Sequence, residues 1–157
     1  MTDDLTARLD ALEERLQRAE DTLAITQLIA SYGPLVDAGR ADEVADLWTE
    51  DGEYHVEGWQ MRSRADVRAM VLSDAHQRLI TGGSAHFLGP AWVEVDGDEA
   101  RAVCESTLVL AHGERWVTAR AGVHRFTLVR DGDRWRITHR VTHLLDGSQE
   151  ARDLLAL

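Results

Sequence analysis

The sequence predicts an α+β fold, a cone-shaped barrel in which a curved antiparallel or mixed sheet is closed by N-terminal helices around a deep pocket. Two observations predict it. Helical periodicity fills most of the first half of the chain, whereas the second half is nearly all strand-like, with runs at 85–88, 91–95, 100–111, 115–129 and 135–145. Those runs are long and are punctuated by Asp96-Gly97, His112-Gly113 and Asp131-Gly132, short turns that make an antiparallel meander. Helices first and strands after place the helices on one face of the sheet.

The elements follow in order. From 2 to about 33 the pattern is helical, with Thr2 or Asp3 as its cap and Leu5, Leu9, Leu12, Leu16, Ala19 and Leu23 alternating at spacings of four and three. That is a heptad seam, so residues 1–22 are expected to form a helical arm, either a coiled coil or an amphipathic helix lying on its own core, ahead of a domain spanning 23–157. From Leu23 to Val36 the apolar positions thicken, as in a helix that covers a sheet, and Pro34 is expected to bend or restart it. Gly39 breaks the chain before a short helix at 41–48, a strand at 53–57, a break at Gly58 and a further helix from 63 to about 79. Gly82-Gly83 ends that helix, and 146–157 reads as a terminal helix or tail.

Composition bounds the function. The 157 residues fit one domain, and 44% hydrophobic with 29% charged residues is ordinary globular composition. A formal charge of −11 repels nucleic acid and anionic membranes, so neither is expected as a partner. The lone Cys104 permits no intrachain disulfide and suits a reducing cytoplasm. No secretory signal and no run of about 18 apolar residues is present, so a soluble, unprocessed cytoplasmic protein is expected.

The residues with most chemical potential are Asp37, just before the Gly39 break, and His86 in Ala85-His86-Phe87-Leu88. A histidine titrates near neutrality, and a carboxylate on its far ring nitrogen fixes the tautomer that takes a proton from a substrate. Spacing alone favours the plainer reading, a helix terminator and a satisfied core histidine. His112 ends the face of Cys104, Ser106, Leu108 and Leu110 and could enter a pocket, while Val117, Ala119, Ala121 and Val123 form a small apolar stripe with room for a ligand. Arg120 and His124 then take the opposite face. His139 and His143 share a strand face, a spacing that alone is a weak metal signal, His55 and His76 have no partner in sequence, and the acidic turns are too short for calcium loops. No phosphate loop, dinucleotide fingerprint or nucleophile elbow occurs, so metal-free chemistry without a cofactor is expected.

From Leu23 to Leu145 the chain resembles the SnoaL-like branch of the nuclear-transport-factor-2-like superfamily. The marks are Tyr32 and Asp37, the run Asp42-Glu43-Val44-Ala45-Asp46-Leu47-Trp48-Thr49-Glu50-Asp51, Glu53-Tyr54-His55-Val56-Glu57-Gly58, Ala85-His86-Phe87-Leu88-Gly89 and Asp131-Gly132-Asp133-Arg134-Trp135-Arg136-Ile137, in that order. The pattern is most similar to scytalone dehydratase, bile-acid dehydratase and hexachlorocyclohexane dehydrochlorinase, which eliminate a small group with a histidine paired to an aspartate. The resemblance implies that His86 and Asp37 are that pair, that His112 is a second catalytic histidine and that Tyr54 lies near a substrate-activating tyrosine. Tyr32, Trp48, Trp59 and Val123 would enclose the substrate. Ala121 and Val123 stand where scytalone dehydratase has serine and asparagine, so a different small hydrophobic, cyclic or polycyclic substrate is implied. A dehydratase-like lyase is the leading expectation, with an isomerase or cyclase of polyketide or steroid type, or a non-catalytic binding or assembly module, as alternatives. A homo-oligomer is expected, a trimer by likeness to the dehydratases or else a dimer.

Overall fold

The computed structural model describes residues 2–56 and 58–157. Glu57, expected at a strand end, lies outside them, as do the side chains of Thr2 and Asp3, expected as a helix cap. The elements are α1 (Thr2–Asp37), α2 (Ala41–Ala45), β1 (Trp48–Val56), β2 (Trp59–Met61), α3 (Arg64–Leu72), α4 (Asp74–Gly82), β3 (Ser84–Leu88), β4 (Trp92–Asp96), β5 (Glu99–His112), β6 (Arg115–Asp131), β7 (Arg134–Leu144) and α5 (Gln149–Leu155).

The strands form one seven-stranded sheet in the order β2-β1-β7-β6-β5-β3, with β4 also on β5. The β1–β7 pair is parallel and the others are antiparallel, so the sheet is mixed. β4 pairs with Glu99–Val103 at one end of β5 and β3 with Ser106–Leu110 at the other. Register shifts at Leu108/Val109 and Thr127/Leu128 mark bulges, which bend long strands and increase their twist. Gly97, Gly113 and Gly132 supply the positive φ that the hairpin turns require.

The concave face holds the core. Ile25, Ile29 and Val36 of α1, Val44 of α2 and Val67 and Val71 of α3 bury against Trp48, Phe126, Leu128 and Ile137. α1 is fastened to the far strands by the buried Asp21. Its carboxylate accepts hydrogen bonds from Arg130 Nη2 at 2.8 Å and Trp135 Nε1 at 2.9 Å, and the guanidinium holds it below the usual carboxylate range. Before Asp21 the helix touches little of its own domain, and residues 4–20 are all exposed.

Several local expectations change. α1 runs unbroken through Pro34 to Asp37: the proline removes one N–H, the one that would reach the Ala30 carbonyl, and its own carbonyl still accepts from the Ala38 N–H at 3.1 Å. The short second helix stops at Ala45, and Trp48 instead opens β1, its place fixed by parallel pairing with Ile137. The helix expected from 63 to 79 is two helices. Ser73 ends α3 and caps α4 by accepting from the His76 N–H at 3.3 Å.

Candidate functional site

Asp37 is the last residue of α1, and the chain fixes it there. The Arg40 N–H reaches the Leu35 carbonyl at 3.0 Å and the Gly39 N–H reaches the Val36 carbonyl at 3.2 Å, with Gly39 at φ 67°. This paired closure needs a left-handed residue, which is why glycine follows Asp37 so closely. β3 passes beside the helix end, and the two elements clasp. Asp37 Oδ1 accepts from Ser84 Oγ at 2.9 Å and from His86 Nδ1 at 2.7 Å, while Oδ2 accepts from the His86 backbone N–H at 2.7 Å.

The carboxylate can only accept at these distances, so the His86 proton lies on Nδ1 and the Nε2 lone pair is left free. Burial pushes the His86 imidazole below its ordinary 6.5, Asp37 pulls it back upward, and the neighbouring His76 and Arg120 push it down. A neutral imidazole with a carboxylate behind it is a proton acceptor ready at neutral pH.

His86 lines a cavity of about 240 Å³ between the helices and the concave sheet face. Apolar walls come from Val56, Met61, Met70, Leu79, Leu88 and Leu108, and the half-exposed Trp59 stands at its rim. His76, on α4, also lines it and donates from Nε2 to the Val36 carbonyl at 2.9 Å, which ties the helix to the turn carrying Asp37.

The opposite wall is a polar group that sequence reasoning missed. Arg140 is 1% exposed, and its guanidinium lies 4.0 Å from the Tyr32 ring centroid and 4.4 Å from that of Tyr54. Two of its nitrogens face His124 Nδ1, at 3.1 and 3.3 Å, and Nη1 has no hydrogen-bond partner among the described residues. No carboxylate lies within salt-bridge distance of it among those residues. His124 is therefore held neutral: burial first, then Arg140, Arg120 and His86, push it well below 6.5. With Nδ1 accepting, its proton is on Nε2 and is donated to Ser106 Oγ at 2.6 Å, which orients the Ser106 hydroxyl at the cavity wall. Tyr32 is likewise kept a neutral phenol, burial and Tyr54 raising its pKa.

The expected residues thus divide. Asp37 and His86 meet; Tyr32, Tyr54 and Trp59 line the same cavity. Trp48 does not line it: fully buried, it backs Tyr32 and Tyr54 at ring distances of 6.0 and 5.9 Å. His112 is exposed at the β5–β6 hairpin, opposite Arg115, because β5 runs well past the cavity before it turns. Val123 is buried on the other face of β6, the face on which Arg125 binds the Leu154 carbonyl of α5 at 3.0 Å. The inward face of β6 carries Arg120 and His124, the reverse of the expected orientation. Cross-strand pairing puts His124 opposite Cys104 and Arg120 opposite Leu108, so the polar row shares the inner face.

On the outer face, Glu53, His55 and His139 bring one ligand atom each within 4.8 Å of one another. His55 Nε2 is 2.8 Å from Glu53 and its Nδ1 3.5 Å from His139, so the three already satisfy one another in part, and a divalent cation of the zinc class would suit such donors. Alternation along β1 and β7 turns this cluster away from the cavity, to which Tyr54 and Arg140 point. No helix is long and apolar enough to cross a membrane among the described residues.

Known proteins share this architecture. A nuclear-transport-factor-2-like protein with a cystatin-like fold from Novosphingobium aromaticivorans is 42% identical, with a TM-score of 0.92 over 95% of this chain and 97% of that one. A protein of unknown function from Mycobacterium tuberculosis is 25% identical, with a TM-score of 0.74 over 93% and 80% of the two chains. A provisionally named scytalone dehydratase from N. aromaticivorans, 18% identical with a TM-score of 0.66 over 92% and 88%, shares the fold. No curated protein matches the sequence. The SnoaL-like domain model matches residues 17–141, and the chain belongs to the SnoaL-like family of the nuclear-transport-factor-2-like superfamily.

Proposed function

We propose that the protein is a cofactor-independent lyase that eliminates water from a small cyclic substrate by proton abstraction. The observation that carries this reading is the 2.7 Å bond between His86 Nδ1 and Asp37 at the wall of a largely apolar cavity. His86 Nε2 takes the proton from a carbon beside a carbonyl, and Asp37 stabilises the imidazolium without itself being protonated. The C–H electron pair forms the new double bond, the neighbouring C–O bond breaks, and the hydroxyl leaves as water with a proton returned from the site. Negative charge gathering on the carbonyl oxygen is met by the Arg140 side of the cavity, where a buried guanidinium without a carboxylate and the neutral Tyr32 phenol supply positive charge and a donor.

The cavity also limits the substrate. About 240 Å³ is small beside the ~300–1,000 Å³ of sites for drug-sized ligands, so a molecule of one or two rings is favoured over a four-ring skeleton. The same base and oxyanion partners could move a proton without expelling a group, so isomerisation or cyclisation is the second reading. Incubation with a panel of one- and two-ring β-hydroxy ketones, read by mass spectrometry, separates them. Elimination gives a product lighter by one water, isomerisation one of unchanged mass. A panel turned over equally well by wild type and His86→Ala would sink both.

A further inference from the structure

We infer that the N-terminal part of α1 is a parallel two-stranded coiled coil with a second copy of this chain. Residues 4–20 are exposed throughout, so roughly 25 Å of helix stands in water, which is marginal for an isolated helix. Its leucines are spent on nothing in their own domain: Leu5, Leu9, Leu12, Leu16 and Leu23 are 58, 51, 55, 59 and 60% exposed. In heptad terms Leu9, Leu16 and Leu23 take position a, and Leu5, Leu12 and Ala19 take position d. Asp21 and Ile25, the buried residues that first seat the helix on its domain, fall at f and c. At 100° per residue that docking face is turned about 160° from the leucine seam, so the two domain bodies lie outside the pair and do not obstruct it.

Charge names the occupant and its direction. Arg8 and Arg15 occupy g, and Glu13 and Glu20 occupy e. In a parallel pair each g residue faces the e residue five positions on in the partner strand, which sets Arg8 against Glu13 and Arg15 against Glu20, twice by symmetry. An antiparallel pair would set arginine against arginine and glutamate against glutamate. The flanking charges confine the apolar stripe to a and d, the seam of a coiled coil and not the broader stripe of a helix that lies on a globular core. A lipid surface fits poorly, because residues 2–23 hold seven acidic residues against three arginines.

Sedimentation equilibrium on the full chain tests this. Wild type should be a dimer at micromolar concentration, and Leu9→Glu/Leu16→Glu should be monomeric with unchanged near-ultraviolet dichroism. In an otherwise wild-type chain, Leu5→Cys should oxidise to a symmetric disulfide dimer, since only a parallel pair sets residue 5 beside its own copy. A monomeric or trimeric wild type, a dimer that survives Leu9→Glu/Leu16→Glu, or a Leu5→Cys chain that does not cross-link would overturn the inference.

Discussion

A carbon added at Gly33 would lie 2.1 Å from the carbonyl oxygen of His86, closer than any real contact. The last turns of α1 therefore approach β3 at backbone distance, and that approach lets the Asp37 carboxylate reach both the backbone N–H and the ring of His86. Gly33→Ala should separate the two elements. The expected result is a destabilisation of about 1–3 kcal/mol in denaturant unfolding together with loss of activity.

Asp37→Asn tests the orienter without removing bulk. An amide can present N–H to His86 Nδ1, which favours the tautomer whose Nε2 is protonated and cannot act as a base. Turnover number should fall by about 10²–10⁴ while KM changes little, in steady-state kinetics on whichever substrate the screen identifies.

Acid should reveal His86 and His124. His86 must be neutral to accept a proton, and its pKa lies below 6.5, so activity should be flat through neutrality and fall only at more acid pH. His124 bears on stability. Its folded pKa is well below 6.5, so between the two values the unfolded chain binds the extra proton. Its contribution is complete above about pH 6.5 and declines as pH falls, by about 1.4 kcal/mol per pH unit for one proton. Urea unfolding from pH 4.5 to 7.5 checks the sign, and His124→Gln should flatten the slope.

Arg140 separates function from stability. A buried cation without a carboxylate costs desolvation, so Arg140→Met should leave the melting temperature unchanged or raised. Catalysis should suffer, by about 10²-fold in kcat/KM, if the guanidinium meets the developing oxyanion. The same substitution should raise the His124 pKa, because one of the charges that depress it is gone.

Much of this arrangement was legible in the chain. Gly-containing turns delimited β4 to β7, and Asp37 ahead of Gly39 marked a helix end where a carboxylate could be held. The facing of β6 was not legible, because alternation states that Ala121 and Val123 oppose Arg120 and His124 but not which pair points inward. Apolar residues usually do, and here the cavity reverses the rule: Arg120 and His124 line it, while Val123 is buried on the far side, where Arg125 binds α5, and Ala121 is exposed. Arg140 was hidden for a similar reason. In Arg136-Ile137-Thr138-His139-Arg140-Val141-Thr142 it reads as one more polar strand residue, and only the convergence of Tyr32, Tyr54 and His124 from distant segments shows what it does. The approach at Gly33 likewise depends on packing between segments some fifty residues apart.

In the proposed mechanism Asp37 holds His86 as a neutral base with its Nε2 lone pair facing the cavity. Nitrogen-15 NMR of the His86 ring, titrated in wild type and in Asp37→Asn, reads that state directly. The predicted result is a proton on Nδ1 at neutral pH and a pKa below 6.5 in wild type, with the tautomer shifted toward Nε2–H in Asp37→Asn. A wild-type ring protonated on Nε2, or one whose tautomer ignores the substitution, would contradict it.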